Sequence, residues 1–385
     1  MPTAPRSKPR TSSRSAARAR PPRWSPSTRH WAAAGRLRRK ILPTPRCRFR
    51  PGRRMLALPS SADNRKEPTV SRARHPGTPH SAQGRSGRRS AGPGSHAAVA
   101  RALSQVLDTW VAPQPAAPVG GGSINDGFRW ESGAGSLFVK VSRGAAAQMF
   151  AAEAAGLAEL AQARAVRVPR VLAQGEAGGE AYLALEWLDL RPLSRTAERL
   201  LGERLAQQHR RTAERHGWRR DNTIGSTPQK NPWCDDWGRF FIEHRLVFQL
   251  ELALRNGHGG RLEARSDELL RCAEELLRGH APPPSLLHGD LWGGNAAAIP
   301  GEEPVIFDPA VYYGDRETDI AMTRLFGGFG PEFHAAYEAA WPLPPGAGRR
   351  ADLYNLYHIL NHVNLFGAGY LGHAMSLIDS VLARD

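Results

Sequence analysis

The chain has 385 residues, enough for one large domain or two smaller ones, and a formal net charge of +17. The charge is unevenly placed: residues 1–95 hold 24 Lys and Arg against two Asp and Glu, and the remainder nets −5, so the body has no basic composition suited to a nucleic-acid groove. The three cysteines (Cys47, Cys234, Cys272) lack CxxC or metal-like spacing, which argues against a disulfide framework and for a reducing, cytoplasmic setting, and no run of about 18 apolar residues predicts a membrane span.

Residues 1–95 are rich in Arg, Ser and Pro and lack apolar periodicity, so they cannot bury enough surface to offset their ordering entropy. Three readings stay open for this stretch: translation from a miscalled start, a disordered basic tail that touches nucleic acid or anionic surfaces, or a transit peptide. From about Ala97 the texture changes. Ala97–Val111 has helical apolar spacing, at Val99, Ala102, Leu103, Val106 and Leu107. Val119–Trp130 is a Gly-rich turn flanked by strand-like residues. Leu137–Val141 reads as a strand, Gln148–Arg164 as a helix and Ala181–Trp187 as another strand. Residues 96–188 therefore predict a small, strand-rich lobe.

From residue 189 to 385 the pattern is helical. Thr196–His216, Asp235–Asn256 and Leu262–Arg278 carry apolar stripes at helical spacing. Between the first two lies Trp218–Trp233, a long polar and aromatic loop. Short strand-like pieces occur at Leu286-Leu287 and Pro304–Phe307, and further helices at Thr318–Phe326, Pro331–Ala340 and Arg349–Arg384. The expected class is α+β, with a bilobal architecture and a ligand cleft between the lobes.

The chemistry concentrates in His288–Asn295 (HGDLWGGN). Phosphoryl transfer to a hydroxyl needs a carboxylate to accept the hydroxyl proton and oxygen ligands for magnesium. Asp290 and Asn295, in Asp-x4-Asn spacing, supply both on one loop, as the HRD-x4-N loop of protein kinases does. Asp308, thirteen residues after Asn295, follows an apolar strand and predicts a second metal ligand beside Asn295. Lys140 ends a strand-like run and is one of two lysines after residue 66; Glu153, in the following helix, is its expected partner for holding ATP phosphates.

Gly120–Ser123 is no Walker A motif, since no Gly-Lys-Ser/Thr follows. Gly121, Gly122 and Ser123 are expected to lie over the nucleotide, or else to make a plain hairpin turn. Glu186, Trp187 and Leu188, where the texture changes, are the expected adenine-binding link. In the polar loop, Trp218, Asp221, Asn222, Thr223, Gln229, Asn231 and Trp233 could stack on and hydrogen-bond a sugar; His288 and Trp292 join the expected substrate set. Asp319 is read as a tie between the catalytic loop and a helix. His358 and His362 have i, i+4 spacing but no third ligand, which favours a structural role.

Five stretches carry a family resemblance: GGGSIN at Gly120–Asn125, FVK at Phe138–Lys140, NTIGSTPQ-N at Asn222–Asn231, LLHGDLWGGN at Leu286–Asn295 and FDPAVYYGDRETDIAM at Phe307–Met322. The HGD-x4-N element alone equally fits aminoglycoside phosphotransferases or choline kinases. Together the stretches make the segment from about Ala97 to Asp385 resemble the fructosamine kinases, or ketosamine-3-kinases. The resemblance implies a protein-kinase-like fold and ATP-Mg-dependent phosphorylation of the sugar 3-hydroxyl of ketosamines, small or protein-bound, after which the amine is recovered. It implies Asp290 as base, Asn295 and Asp308 as metal ligands, Lys140 and Glu153 as the phosphate-binding pair, and Glu186–Leu188 as the adenine link. Some members carry a Cys in the Gly-rich loop that permits a redox-sensitive dimer; Ser123 stands there, so no such switch is expected. The basic segment has no counterpart in the family. A reading of another class, nucleic-acid binding, rests on residues 1–95 alone.

Overall fold

The computed structural model describes residues 93–120, 126–143 and 146–383. The first helix, α1 (Pro93–Leu107), precedes strands β1 (Ala117–Val119), β2 (Asp126–Ser132) and β3 (Gly135–Arg143). Helix α2 (Ala146–Ala163) and strands β4 (Val171–Ala177) and β5 (Glu180–Glu186) complete the first lobe. The strands form one antiparallel sheet in the order β1-β2-β3-β5-β4. Side chains alternate across a strand, and that alternation sorts the sheet's two faces. Leu137, Val139 and Val141 on β3 and Tyr182 and Ala184 on β5 pack with Val99 and Leu103 of α1. Leu183 and Leu185 point the other way, against Phe150 and Leu157 of α2. Lys140 pairs with Leu183 in register, so period two delivers its side chain to the α2 face.

The second lobe begins after Glu186–Arg191. Helix α3 (Arg195–His209) is capped by Ser194, whose hydroxyl accepts from the Ala197 N–H at 3.2 Å. Next comes a hairpin, β6 (Asn222–Ile224) and β7 (Thr227–Gln229), where a loop was expected. Helix α4 (Trp237–Phe241), capped by Asp236, continues through a π-helical turn (Ile242–Val247) into α5 (Phe248–Arg255). Helix α6 (Arg261–Leu277) leads to β8 (Ser285–Leu287), the 3-10 turn Gly293–Asn295, β9 (Ala296–Ile299), β10 (Glu303–Ile306) and β11 (Tyr312–Gly314). Helices α7 (Glu317–Leu325), α8 (Pro331–Ala340), α9 (Ala347–Phe366) and α10 (Leu371–Leu382) close the lobe. β9 pairs with β10 and β8 with β11.

Several boundaries differ from expectation for local reasons. The first helix lies earlier than Ala97–Val111: it stops before Asp108, at φ 49°, and Val111 instead bridges Ser132. Thr196–His216 is helical only to His209, because Thr212 and His216 pair with Ser285 and Cys234. Arg349–Arg384 is two helices; Gly367, at φ 90°, ends the first with its N–H on the Val363 carbonyl. Strand β4 is an addition. Its sequence, VLAQGEA, lacks a clean alternation and takes its pairing from β5.

The lobes are joined by more than the linking chain. The Ile306 N–H donates to the Arg167 carbonyl at 3.0 Å, and Arg191 and Ala298 exchange two backbone hydrogen bonds of 2.8 Å. Gly156 on α2 lets the helix approach Val311, whose methyl would lie 3.1 Å from an added Cβ. Among the described residues no helix is long and apolar enough to cross a membrane. Neither Cys234, whose thiol donates to the Asp236 carbonyl at 3.3 Å, nor Cys272 is in a disulfide.

Candidate active site

The cleft between the lobes holds a cavity of about 510 Å³. Its upper wall comes from β3 and α2. Lys140 Nζ donates to Glu153 at 2.6 Å and to Asp308 at 2.7 Å. Burial opposes the lysine's charge, but the Asp308 and Glu153 carboxylates outweigh it and raise its pKa. Burial raises the Glu153 carboxyl, with Lys140 pulling the other way.

The floor comes from the segments after β8 and β10. Asp290 accepts from Asn295 Nδ2 at 3.3 Å, and the same amide donates to the Asp290 carbonyl at 2.9 Å. Burial, followed by the negative charge of Asp308, outweighs the Asn295 hydrogen bond and pushes the Asp290 carboxyl up to about 7. Asp308 lies two residues beyond β10, at φ 57°, a left-handed conformation that Asp tolerates better than most residues. The turn after the strand brings its carboxylate to Lys140.

Asp319, on α7, fastens this floor. Its carboxylate accepts from the His288 N–H at 2.7 Å and the Gly289 N–H at 2.9 Å, and meets His209 at 3.2 Å. Burial would raise this carboxyl; the His209 hydrogen bond and the surrounding donors outweigh it and hold the pKa low. The expected tie to the catalytic loop is the contact observed. Gly289 sits at φ 81°, and a Cβ there would lie 2.2 Å from the Ala310 carbonyl oxygen. Only glycine lets the two loops approach so closely.

Not every expected residue reaches the cavity. Glu186, Trp187, Leu188, Asn222 and Trp292 line it, together with Lys140, Glu153, Asp290, Asn295 and Asp308. The Glu186 carboxylate is held by Arg167 at 2.9 Å and by the Arg170 N–H at 2.8 Å. Gly121, Gly122 and Ser123 lie outside the described residues; Gly120 beside them lines the cavity.

Trp218, Gln229, Asn231 and His288, expected to meet substrate, do not line the cavity. Each is buried and bonded within the protein. Trp218 donates to Glu159 at 3.4 Å. Gln229 donates to Asn222 Oδ1 at 2.9 Å and to the Ala310 carbonyl at 3.0 Å, and accepts from the Tyr357 hydroxyl at 2.7 Å. Asn231 donates to Asn222 Oδ1 at 2.8 Å and accepts from Arg245 at 2.7 Å. His288 Nε2 meets the Phe307 carbonyl at 2.9 Å while its Nδ1 faces the Asp290 N–H at 3.3 Å. Burial holds this ring's pKa down, which suits a neutral imidazole bonded at both nitrogens.

Sequence reasoning missed the apolar lining, chiefly Phe138, Met149, Pro169, Leu185 and Leu190. Two of these had a signal. Phe138 is two residues from Lys140 on a strand, and Met149 is four from Glu153 on a helix, so each shares a face with a chosen residue.

The comparisons with known proteins agree with this geometry. A family model described as fructosamine kinase matches residues 95–384. The "Probable ketoamine kinase slr1563" of Synechocystis is 44% identical over 285 residues, covering 74% of this chain and 96% of that protein. The chloroplastic "Protein-ribulosamine 3-kinase" of Arabidopsis thaliana is 43% identical over 267 residues, covering 69% and 81%. A crystal structure of a fructosamine-3-kinase, so described as "putative", from Haemophilus somnus superposes with a TM-score of 0.69 at 28% identity, covering 75% and 98%. A bilobal α+β frame and a match over nearly all the described residues converge: this chain is a kinase and belongs to the fructosamine kinase family.

Proposed function

We propose that the protein transfers the γ-phosphoryl group of ATP to the sugar 3-hydroxyl of ketosamines, the fructosamine or ribulosamine adducts of amines and protein lysines. The observation that carries this reading is the placement of Asp290 opposite the Lys140–Asp308 pair on one cavity, in a chain 43% identical to a protein-ribulosamine 3-kinase.

Lys140 holds the phosphates, and Glu153 holds Lys140. The link Glu186–Leu188 faces the adenine. The Asp290 carboxylate accepts the proton of the acceptor hydroxyl while that oxygen bonds to the γ-phosphorus and the bond to the β-phosphate oxygen breaks, leaving ADP. A carboxyl with a pKa of about 7 suits this task, since it is basic enough to accept the proton and partly ionised at neutral pH.

The donors present fit magnesium. Asn295 uses its amide nitrogen on Asp290, which leaves Oδ1 for a cation, and Asp308 adds a carboxylate, a hard all-oxygen set. When bound, the cation neutralises charge developing on the phosphates. The residues alone then orient the acceptor and move its proton.

A phosphate on C3 of a ketosamine is a leaving group next to the C1–C2 enaminol. Its departure as inorganic phosphate leaves an iminium that water hydrolyses to the free amine, which makes deglycation the consequence; the cysteine usage argues for the cytoplasm as its setting. The test is a panel of fructosyl-lysine, ribulosyl-lysine, an aminoglycoside and choline, with ATP consumption followed and the phosphate position read by NMR. Phosphate on the 3-hydroxyl of a ketosamine, lost in Asp290→Ala, is the expected result. Turnover of an aminoglycoside or choline alone, or equal turnover by Asp290→Ala, would overturn the reading.

A further inference from the structure

Six large hydrophobic side chains are exposed among the described residues: Val106, Trp110, Leu190, Trp292, Phe326 and Phe366. Three of them belong to one ridge that starts in the cavity wall. Trp292, 37% exposed, lines the cavity two residues after Asp290. Its ring meets Phe326 edge-on at 6.2 Å. Phe326 lies 4.8 Å from the ring of His362, which contacts Phe366 at 5.4 Å and Tyr370 at 5.0 Å. Phe326 and Phe366 are 37% and 48% exposed.

The ridge is built on rigid supports. Gly293 and Gly328 touch backbone to backbone, since a Cβ on Gly293 would lie 2.8 Å from the Gly328 Cα. That contact locks the segment bearing Phe326 against the catalytic loop. His362 Nδ1 is bonded to the His358 carbonyl at 2.8 Å, one turn back on α9. Contiguous exposed aromatics on a soluble surface mark a binding face.

We infer that this ridge, from Phe326 through His362 and Phe366 to Tyr370, receives the polypeptide carrying the glycated lysine, and that it favours carriers with apolar residues beside that lysine. The inference rests on the ketosamine reading above. Lys140 and the link Glu186–Leu188 assign one side of the cavity to the nucleotide, so the acceptor hydroxyl meets Asp290 from the side walled by Trp292. In a ketosamine the reacting carbon is only two carbons from the carbon that bears the amine. The carrier chain therefore leaves close to Asp290, over Trp292 and onto the ridge. The apolar stem of the lysine suits the Trp292 ring in the cavity wall, and the residues flanking that lysine in the carrier reach Phe326 and the aromatics beyond it.

The experiment compares the full-length wild type with Phe326→Ser/Phe366→Ser on two acceptors: free ribulosyl-lysine, and a peptide whose ribulosyl-lysine is flanked by Leu and Val. The expected result is a KM for the peptide raised about tenfold, roughly the loss of one good apolar contact, with kcat and the KM for free ribulosyl-lysine unchanged. An unchanged peptide KM overturns the inference, as does an equal loss on both acceptors. A wild-type dimer that the double variant converts to monomer in sedimentation also overturns it, by assigning the ridge to a second copy. If the wild type phosphorylates neither acceptor, the ketosamine reading falls with it; if it phosphorylates both and the variants show no difference, only the ridge does.

Discussion

Asp290 answers two opposed requirements. The proposed proton transfer is served by a desolvated carboxylate close to a second negative group, and stability is not. In the folded protein its carboxyl is raised to about 7 from an ordinary 3.8. Between those values the folded state holds a proton that the unfolded chain has released. Stability attributable to this group is therefore fully present below about pH 4 and is lost as pH rises towards 7. Asp290→Asn removes the ionisation, so its melting temperature relative to wild type should be higher at pH 8 than at pH 5, while kcat falls by about 10²–10⁴-fold. A melting difference that does not vary with pH would contradict the raised carboxyl. Lys140 shows the reverse coupling, since the proposed phosphate binding and folding need the same ion pair. Lys140→Ala leaves Glu153 buried without its cation, and removing one partner of a buried pair costs about 3–5 kcal/mol. Because burial already raises the Glu153 carboxyl, that group will take up a proton, and the loss in denaturant titration should fall at the low end of the range. The KM for ATP should rise with it.

At the scale of elements, the hairpin β6–β7 changes the meaning of the polar loop. Its polarity suggested sugar recognition, but most of its amides face inward. Asn222 donates to the Val311 carbonyl at 2.8 Å and Gln229 to the Ala310 carbonyl at 3.0 Å. The hairpin thus braces the backbone just after Asp308, and Gly289 closely approaches the same Ala310 carbonyl. Gln229→Leu leaves that carbonyl and the Tyr357 hydroxyl without their partner. It should lower stability by about 1–3 kcal/mol, the cost of buried polar groups left unsatisfied, and lower kcat more than the KM for free ketosamine. Steady-state kinetics at a temperature where the variant stays folded checks this, and a rise confined to the ketosamine KM would restore the residue to the substrate set. The hairpin also shows the limit of pattern reading. Asn, Thr, Gln and Pro in a short run carry the same polarity whether they face water or buried carbonyls, and their direction is set by Ala310 and Val311, some 80 residues later.

For the whole molecule, the family match covers residues 95–384. Every site residue named above lies beyond its start, and the body is mildly acidic. We propose that residues 1–95 form a separate basic segment. A chain trimmed to residues 93–385 should keep its kcat/KM for a small ketosamine and lose retention on a heparin column. Loss of activity on trimming would instead give the basic segment a part in the kinase itself. The two lobes are tied by the backbone contacts of Arg167 with Ile306 and of Arg191 with Ala298, beside the linking chain.

The sequence by itself determined the family and where the candidate chemistry lies. Asp290, Asn295 and Asp308 were identified because phosphoryl transfer needs those groups at short range, and spacing on one loop and one strand end is local information. Lys140 and Glu153 were identified for a related reason: a strand followed by a helix places their side chains on facing surfaces. The bilobal class was also legible, because periods of two and 3.6 residues survive in the apolar pattern. Only the tertiary structure decided which polar side chains face the cavity and which face the protein. Trp218, Gln229, Asn231 and His288 find their hydrogen-bond partners in distant segments, and so do the backbone carbonyls they satisfy. The aromatic ridge is of the same kind. Trp292, Phe326, His362, Phe366 and Tyr370 span nearly 80 residues of chain, and helical i, i+4 spacing links His362 to Phe366 but joins neither to Trp292 or Phe326. They form one surface because helix packing and the Gly293–Gly328 contact bring their rings together.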